Sequence, residues 1–182
     1  MKFRRKSGDR NNLEAEVKQI LRLVKKNNKK KDQKIDLKQL LQALCEVFET
    51  VADDRGQKIV LEITEGDMFI EGDREKVQRS LSNLLDNALK YSPQGTQVRV
   101  VGEQEEGGLS IKFFDSGCGI SPEDQARIFE RFYRVESSRT TPGNGLGLNL
   151  TRAFIENHGG KILVESELDK GSCFEVLLPV NS

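Results

Sequence analysis

Hydrophobic spacing between residues 36 and 178 changes repeatedly from the helical to the strand period, and the strand-like segments come mostly in pairs. The helical segments are 37–51, 73–91 and 145–158, and the alternating ones are 58–64, 98–103, 109–115, 161–167 and 172–178. Glycine-containing turns join the last four strands into two hairpins. This order predicts a two-layer α/β sandwich, with one mixed sheet of about five strands and helices on one face.

Local signals mark where several elements begin and end. Asp36 is expected to cap the first helix, and a short strand at 68–71 should precede the long helix. The long helix should stop at Ser92, because the following Pro93 disfavours helical backbone in the residue before it. Ser121 and Pro122 are expected to open a short helix.

Charge divides the chain near residue 35. Residues 1–34 hold 13 Lys/Arg against 4 Asp/Glu, whereas the remainder holds 16 against 25. We therefore expect a basic leader at 1–34 and a separate domain at 35–182. Apolar residues at 13, 17, 20, 21 and 24 predict an amphipathic leader helix, packed either on the domain or on its copy in a homodimer. No nucleic-acid partner is expected, because Phe3 is the leader's sole aromatic residue.

Residue content excludes several classes of protein. The three cysteines lack CxxC spacing and the chain has one histidine, His158, so neither a structural zinc site nor a Ser-His-Asp catalytic site is expected. No apolar run approaches the roughly 18 residues of a membrane span, and the first residues lack the pattern of a signal peptide. A cytoplasmic location is expected, which leaves open that a longer parent protein is membrane-anchored.

The long helix carries an unusual polar ridge. Asn83, Asn87 and Lys90 follow one another at i, i+4 and i+7, beside the apolar face of the helix. Asparagine is a poor helix former, so two of them in one helix interior need an explanation. They are either surface residues or the contacts of a polar ligand, because amide oxygens suit Mg²⁺ and lysine suits phosphate.

Two glycine clusters favour the ligand interpretation. Asp115-Ser116-Gly117-Cys118-Gly119 follows a strand, where glycines allow the backbone to approach a ligand closely. The segment 142–148 opens the last helix, whose free N–H groups can hold a phosphate. Neither cluster fits the P-loop or Rossmann patterns.

The order Asn-x3-Asn-x2-Lys-Tyr, Asp-x-Gly-x-Gly, Phe-x2-Phe and Gly-x-Gly-x-Gly resembles the ATP-binding catalytic domain of sensor histidine kinases. That branch belongs to a family that also holds DNA gyrase and the mismatch-repair ATPases. The resemblance covers about residues 36–179 and implies the Bergerat form of the α/β sandwich. It also implies that ATP and Mg²⁺ are bound, and that segment 129–142 is a mobile lid.

The resemblance assigns roles to individual residues. Asn87 would be the Mg²⁺ ligand, with Asn83 beside it on phosphate or on a metal-bound water. Lys90 and Arg134 would meet the phosphates. The implied catalytic residues are Asn83, Lys90 and Arg134, and the implied ATP-binding residues are Asn83, Asn87, Lys90, Tyr91, Asp115, Gly117, Gly119, Ile120, Phe132, Gly143, Gly145, Leu146, Gly147 and Leu148.

The resemblance also separates kinases from hydrolases. Hydrolases and serine kinases of this family place a glutamate four residues before the metal-binding asparagine, where this chain has Asn83, and an amide cannot act as a general base. We therefore expect the catalytic half of a histidine kinase. It would act on a histidine of a separate dimerisation domain, with a response regulator downstream. The alternatives are a non-catalytic nucleotide-binding module and an ATPase or serine kinase.

The single histidine, His158, is expected to be structural. It closes the last helix. The leader resembles the end of the second dimerisation helix of this family, without the first dimerisation helix. The chain is thus expected to bind ATP without phosphorylating itself.

Overall fold

The computed structural model describes residues 33–135 and 145–180. The expected leader helix and Gly143 lie outside the described residues. The helices are α1 (Leu37–Asp54), α2 (Arg74–Tyr91), α3 (Pro122–Gln125) and α4 (Gly147–Asn157). The strands are β1 (Gln33–Asp36), β2 (Lys58–Ile63), β3 (Phe69–Gly72), β4 (Gln97–Glu105), β5 (Gly108–Phe114), β6 (Lys161–Glu167) and β7 (Gly171–Pro179).

The main sheet has five strands in the order β2-β4-β5-β7-β6. Strands β2 and β4 are parallel, and the other three pairs are antiparallel. Both predicted hairpins, β4 with β5 and β6 with β7, are present. The mixed five-stranded sheet of a two-layer α/β fold is therefore confirmed.

Strands β1 and β3 form a separate two-stranded antiparallel sheet. Strand β1 was not predicted, because its four residues show no alternation and its ladder depends on a partner more than 30 residues away. Leu37 N–H then donates to Met68 O at 2.8 Å, which fixes the start of α1 beside this small sheet.

The core lies between the helices and one face of the main sheet. Ile111 and Phe113 of β5 are fully buried and stand opposite Val176 and Phe174 of β7. Alternate residues of β4, β5 and β7 thus face α1 and α2, whose leucines complete the same cluster. The cluster's members from α1 and α2 include Leu37, Leu40, Leu41, Leu44, Leu81, Leu84, Leu85 and Leu89.

The opposite face of the sheet is polar. Lys112 Nζ lies 2.8 Å from Glu103 and 3.6 Å from Glu175, and this carboxylate environment raises the pKa of Lys112. The helices therefore cover one face of the sheet, as predicted.

Helix ends follow the local chemistry that the sequence indicates. Asp36 and Asp73 cap α1 and α2 by accepting hydrogen bonds from the N–H groups of Gln39 and Lys76. Helix α2 ends at Tyr91, one residue before Ser92. Among the described residues, no helix combines the length and the apolarity that crossing a membrane requires.

The last helix begins two residues later than predicted. Gly145 has φ +66°, a left-handed conformation that cannot belong to a right-handed helix, so α4 starts at Gly147 with Leu146 before it. Its end is also earlier: Asn157 is the last helical residue, and His158 is the residue that follows.

Candidate functional site

A cavity of about 300 Å³ opens at the ends of α2, β5 and β7 and at the start of α4. This volume is at the lower end of the range found for small-molecule sites. Its described lining comprises Asn83, Asp86, Asn87, Lys90, Tyr91, Asp115, Gly117, Cys118, Gly119, Ile120, Ile128, Tyr133, Arg134, Val135, Gly145, Gly147, Leu148, Ser172 and Phe174.

The polar ridge of α2 forms one wall of the cavity. Asn83, Asn87 and Lys90 are all half-buried and line it together. Asp86 joins them, since it lies three residues after Asn83 and four before Lys90. The Lys90 ammonium lies 5.3 Å from the centroid of the Tyr91 ring, which forms the next part of the wall. The ridge therefore faces the cavity, with amide, carboxylate and ammonium groups side by side.

Asn83 also links α2 to α4. Its Nδ2 donates to Thr151 Oγ1 at 3.1 Å, and Thr151 is 2% exposed. A Cβ on Gly147 would collide with Asn83 Oδ1, so a larger residue there would displace the Asn83 side chain. Helices α2 and α4 thus approach closely at the cavity.

The start of α4 forms the opposite wall. Leu146, the residue at its N-cap position, makes no side-chain capping hydrogen bond. The first N–H groups of a helix have no intrahelical partners, and the helix dipole adds partial positive charge there. Gly147 and Leu148 of this first turn line the cavity. This wall is therefore suited to negatively charged groups.

A carboxylate is fixed at the far end of the cavity, where β5 meets β7. Asp115 Oδ1 accepts hydrogen bonds from Gly117 N–H at 2.8 Å and from Ser172 N–H at 3.1 Å. Asp115 N–H donates to Ser172 O at 2.9 Å, so strand pairing itself positions the residue. Burial raises the pKa of Asp115, against the lowering effect of these hydrogen bonds. The Ser172 hydroxyl acts on the pKa of the carboxylate in the same lowering direction, and among the described residues no backbone N–H donates to the other oxygen, Oδ2.

Two glycines allow the turns around Asp115 to pack. Gly119 and Gly171 have φ of +70° and +106°, and a Cβ on either would collide with backbone atoms of Glu167 or Asp115. Ser166 Oγ accepts from Ile120 N–H at 2.8 Å and lies 2.9 Å from Ser172 Oγ. The turns at the base of the cavity are therefore held by close backbone packing and by hydrogen bonds of the Ser166 hydroxyl.

The residues before the undescribed segment 136–144 form the remaining side. The Tyr133 hydroxyl donates to Asp124 Oδ1, a hydrogen bond that raises the pKa of Tyr133. Arg127 stacks 4.2 Å from the centroid of the same ring. Phe132, by contrast, is 48% exposed, has φ +62° and does not line the cavity.

His158 lies outside the cavity and links two helices. Its Nε2 accepts from Asp73 N–H at 3.0 Å, and its Nδ1 lies 2.7 Å from Phe154 O. These contacts define a neutral ring with the proton on Nδ1. A Cβ on Gly72 would collide with the ring, so the glycine accommodates it. Both nitrogens are engaged, which fits the structural role expected for this residue.

Most of the residues predicted to bind ATP are brought together here. Eleven of the fourteen line the cavity, and the predicted catalytic residue Arg134 lines it with them: Asn83, Asn87, Lys90, Tyr91, Asp115, Gly117, Gly119, Ile120, Gly145, Gly147 and Leu148. Phe132 and Leu146 do not line it, and Gly143 lies outside the described residues, so their roles stay predictions. Sequence reasoning missed Asp86, Cys118, Ile128, Tyr133, Val135, Phe174 and a lining role for Ser172. Helical spacing from Asn83 would have identified Asp86.

Comparisons with known proteins agree with this geometry. The family model described as "Histidine kinase-, DNA gyrase B-, and HSP90-like ATPase" matches residues 72–182. The probable sensor protein PcoS of Escherichia coli is 38% identical over 135 residues, covering 73% of this chain and 28% of PcoS. The histidine protein kinase DivJ of Caulobacter vibrioides is 35% identical over 146 residues, covering 80% and 24%. The chain thus spans about a quarter of the length of these relatives.

Among solved structures, the catalytic domain of the histidine kinase ThkA superposes with a TM-score of 0.73 at 27% identity. The match covers 82% of this chain and 95% of that one. ThkA has also been solved in complex with the response regulator protein TrrA, in a match of TM-score 0.71 at 23% identity that shows likeness of fold alone. That second match covers 94% of this chain and 49% of the other.

Proposed function

The chain belongs to the histidine kinase-, DNA gyrase B- and HSP90-like ATPase family, and from this premise we propose that it is the ATP-binding catalytic domain of a sensor histidine kinase. It would hold Mg-ATP for transfer of the γ-phosphoryl group to a histidine on a separate dimerisation domain. The observation that carries this proposal is the convergence of the α2 ridge, the uncapped start of α4 and Asp115 on one cavity. Sensor histidine kinases among its relatives support it further.

Asp115 is suited to recognise adenine. The two backbone donors occupy Oδ1, which leaves the second oxygen as an acceptor for the exocyclic amino group of the base. Guanine carries a carbonyl oxygen in the corresponding place, and a carboxylate would repel it. A Cβ on Gly117 would lie 2.8 Å from Tyr91 O, so the glycine lets the turn after Asp115 pack against the end of α2.

The opposite part of the cavity is suited to the triphosphate. Lys90 and the first N–H groups of α4 supply positive charge, and Arg134 adds a guanidinium from the other side. The amide oxygens of Asn87 and Asn83 fit a hard divalent cation, so Asn87 would hold Mg²⁺ with Asn83 beside it. When bound, Mg²⁺ would neutralise phosphate charge and orient the γ-phosphoryl group.

Asn83 favours a kinase over a hydrolase. A hydrolase needs a base at this position to activate water, but Asn83 carries a neutral amide whose nitrogen already donates to Thr151. Phosphoryl transfer needs chiefly positioning and charge stabilisation from the protein, and the cavity wall provides both. An imidazole nitrogen of the acceptor histidine would attack the γ-phosphorus as the bond to the β-phosphate oxygen breaks, and ADP would leave.

His158 has both ring nitrogens engaged, so the acceptor histidine would lie in a separate domain. We propose that a His-bearing dimerisation domain supplies it, that a response regulator receives the phosphate next, and that the domain works in the cytoplasm. We also propose that residues 1–34 form a leader separate from the domain at 35–182. Two copies of the chain would pair through residues 13–24.

Calorimetric titration with ATP, with and without Mg²⁺, tests the assignment. Asn87→Ala should weaken binding in Mg²⁺ by about 10- to 100-fold, the size of effect that loss of a metal-orienting group produces. Gln78→Ala is the matched control, since it removes an exposed amide from the same helix. Unchanged affinity in Asn87→Ala would refute the assignment. Labelled ATP added with a His-bearing helix pair should then phosphorylate that pair and not this chain.

A further inference from the structure

Thr151 holds one end of the Asn83 amide although it does not line the cavity itself. Its hydroxyl is buried on α4, one turn after Gly147, and accepts a hydrogen bond from Asn83 Nδ2 at 3.1 Å. No catalytic or binding role for Thr151 follows from the motifs of the sequence. Through this hydrogen bond Thr151 nevertheless helps to position Asn83, which lines the cavity.

The other end of the amide is positioned by Gly147. Asn83 Oδ1 lies so close to the Gly147 backbone that a Cβ there would collide with it. Asn83 and Gly147 both line the cavity. The hydrogen bond to Thr151 and the close contact with Gly147 together fix where the Asn83 amide lies in the cavity wall.

We propose that Thr151 is a positioning residue, which holds the Asn83 side chain at the place in the cavity wall where it meets the divalent cation or its water ligands. This inference rests on the proposed function. Divalent cations such as Mg²⁺ take oxygen ligands in a defined geometry, so an amide that leaves this place no longer serves the cation. Groups that orient metal ligands affect metal affinity about 10- to 100-fold in known sites.

A purely structural role for Thr151 makes a different prediction. Loss of a buried hydrogen bond between two helices would lower stability and weaken all nucleotide binding equally. A positioning role weakens binding specifically when Mg²⁺ is present, because binding without the cation does not depend on where the Asn83 amide is held. The ratio of the ATP dissociation constants measured in EDTA and in Mg²⁺ therefore separates the two roles.

Three variants of the full chain test the proposal. Thr151→Val keeps the side-chain shape and removes the acceptor, Thr151→Ala removes the same acceptor with less bulk, and Thr151→Ser retains the hydroxyl. Ser80→Ala is the matched control, because Ser80 is equally buried on α2 but its hydroxyl donates to Lys76 O and not to Asn83. Each protein is titrated with ATP in Mg²⁺ and in EDTA, and the Mg²⁺ concentration that gives half-maximal effect is measured.

Thr151→Val and Thr151→Ala should raise the ATP dissociation constant in Mg²⁺ about 10-fold, with less than about 2-fold change in EDTA. They should also raise the half-effective Mg²⁺ concentration. Thr151→Ser should remain within about 3-fold of the wild type, and Ser80→Ala should leave the ratio unchanged. Equal weakening in Mg²⁺ and EDTA, or no weakening, would overturn the role of Thr151 while the wild-type binding keeps the proposed function intact. Absence of Mg-ATP binding to the wild type would instead overturn the proposed function.

Discussion

Replacing Asp115 by asparagine changes one atom of the cavity and should change which base it accepts. Backbone N–H groups of Gly117 and Ser172 both donate to Asp115 Oδ1, at 2.8 and 3.1 Å. An asparagine would keep its oxygen at that position, because its amide nitrogen cannot accept those bonds. The amide nitrogen would then take the place of the second carboxylate oxygen and present a donor to the donor of adenine.

The magnitude follows from the hydrogen bond that is lost. A hydrogen bond to a charged group contributes about 1.5–3 kcal/mol, which corresponds to a factor of roughly 10 to 150 in affinity. We expect Asp115→Asn to weaken ATP binding by about 10- to 100-fold. The preference for ATP over GTP should fall further, because the new N–H group can donate to the guanine carbonyl.

Calorimetry or displacement of a fluorescent nucleotide, with ATP and GTP on both proteins, measures the effect. Asp67→Asn is the control, since Asp67 is exposed in the turn before β3. Denaturant unfolding of each variant separates lost recognition from lost folding. If Asp115→Asn is folded and binds ATP as tightly as the wild type, the role given to the second oxygen is wrong.

The same carboxylate predicts a pH dependence. Burial raises the pKa of Asp115, and only the ionised group presents an acceptor at both oxygens. Wild-type affinity for ATP should therefore fall as the pH is lowered through the weakly acidic range above the ordinary pKa of aspartate. Asp115→Asn should lack this component of the pH profile.

Two further predictions concern the cysteines and His158. Burial raises the pKa of both Cys45 and Cys173 to about 11, whereas Cys118 is exposed in the cavity lining, so a thiol reagent at neutral pH should label Cys118 first. ATP should slow that labelling; mass spectrometry showing equal modification of all three, or no protection, would contradict the placement. His158→Ala should lower the free energy of unfolding by about 1–3 kcal/mol, because it leaves the N–H before α2 and the Phe154 carbonyl without their partners. If urea unfolding gave His158→Ala the same free energy of unfolding as the wild type, this role would be contradicted.

The fold was largely predictable because its signals are local. The capping residue Asp36 and the Ser92–Pro93 stop lie beside the helices that they delimit, whereas Asp73, predicted as the first residue of the long helix, is its cap. Strand β1 escaped prediction because its existence depends on pairing with β3. The start of α4 was misplaced because the left-handed backbone of Gly145 is set by a tertiary contact, in which its carbonyl accepts from Phe132 N–H at 3.0 Å.

The site was predictable where side chains share one element. Helical spacing alone aligns Asn83, Asn87 and Lys90, and all three line the cavity. Tyr133 was missed because the Phe-x2-Phe motif ends on its neighbour, Phe132. Phe132 has a φ of +62°, and with this backbone conformation the Tyr133 ring, and not the Phe132 ring, lines the cavity. The Thr151 contact was missed because 68 residues of chain separate its two partners.

Base recognition in this protein is tied to sheet register. The carboxylate of Asp115 takes its orientation from a residue on the neighbouring strand, so a slip of one position between β5 and β7 would remove its anchor at Ser172. The helical ridge would survive such a slip, since no strand hydrogen bond holds it. Substitutions that loosen the pairing of β5 with β7 should therefore erode selectivity for adenine before they erode affinity for triphosphate.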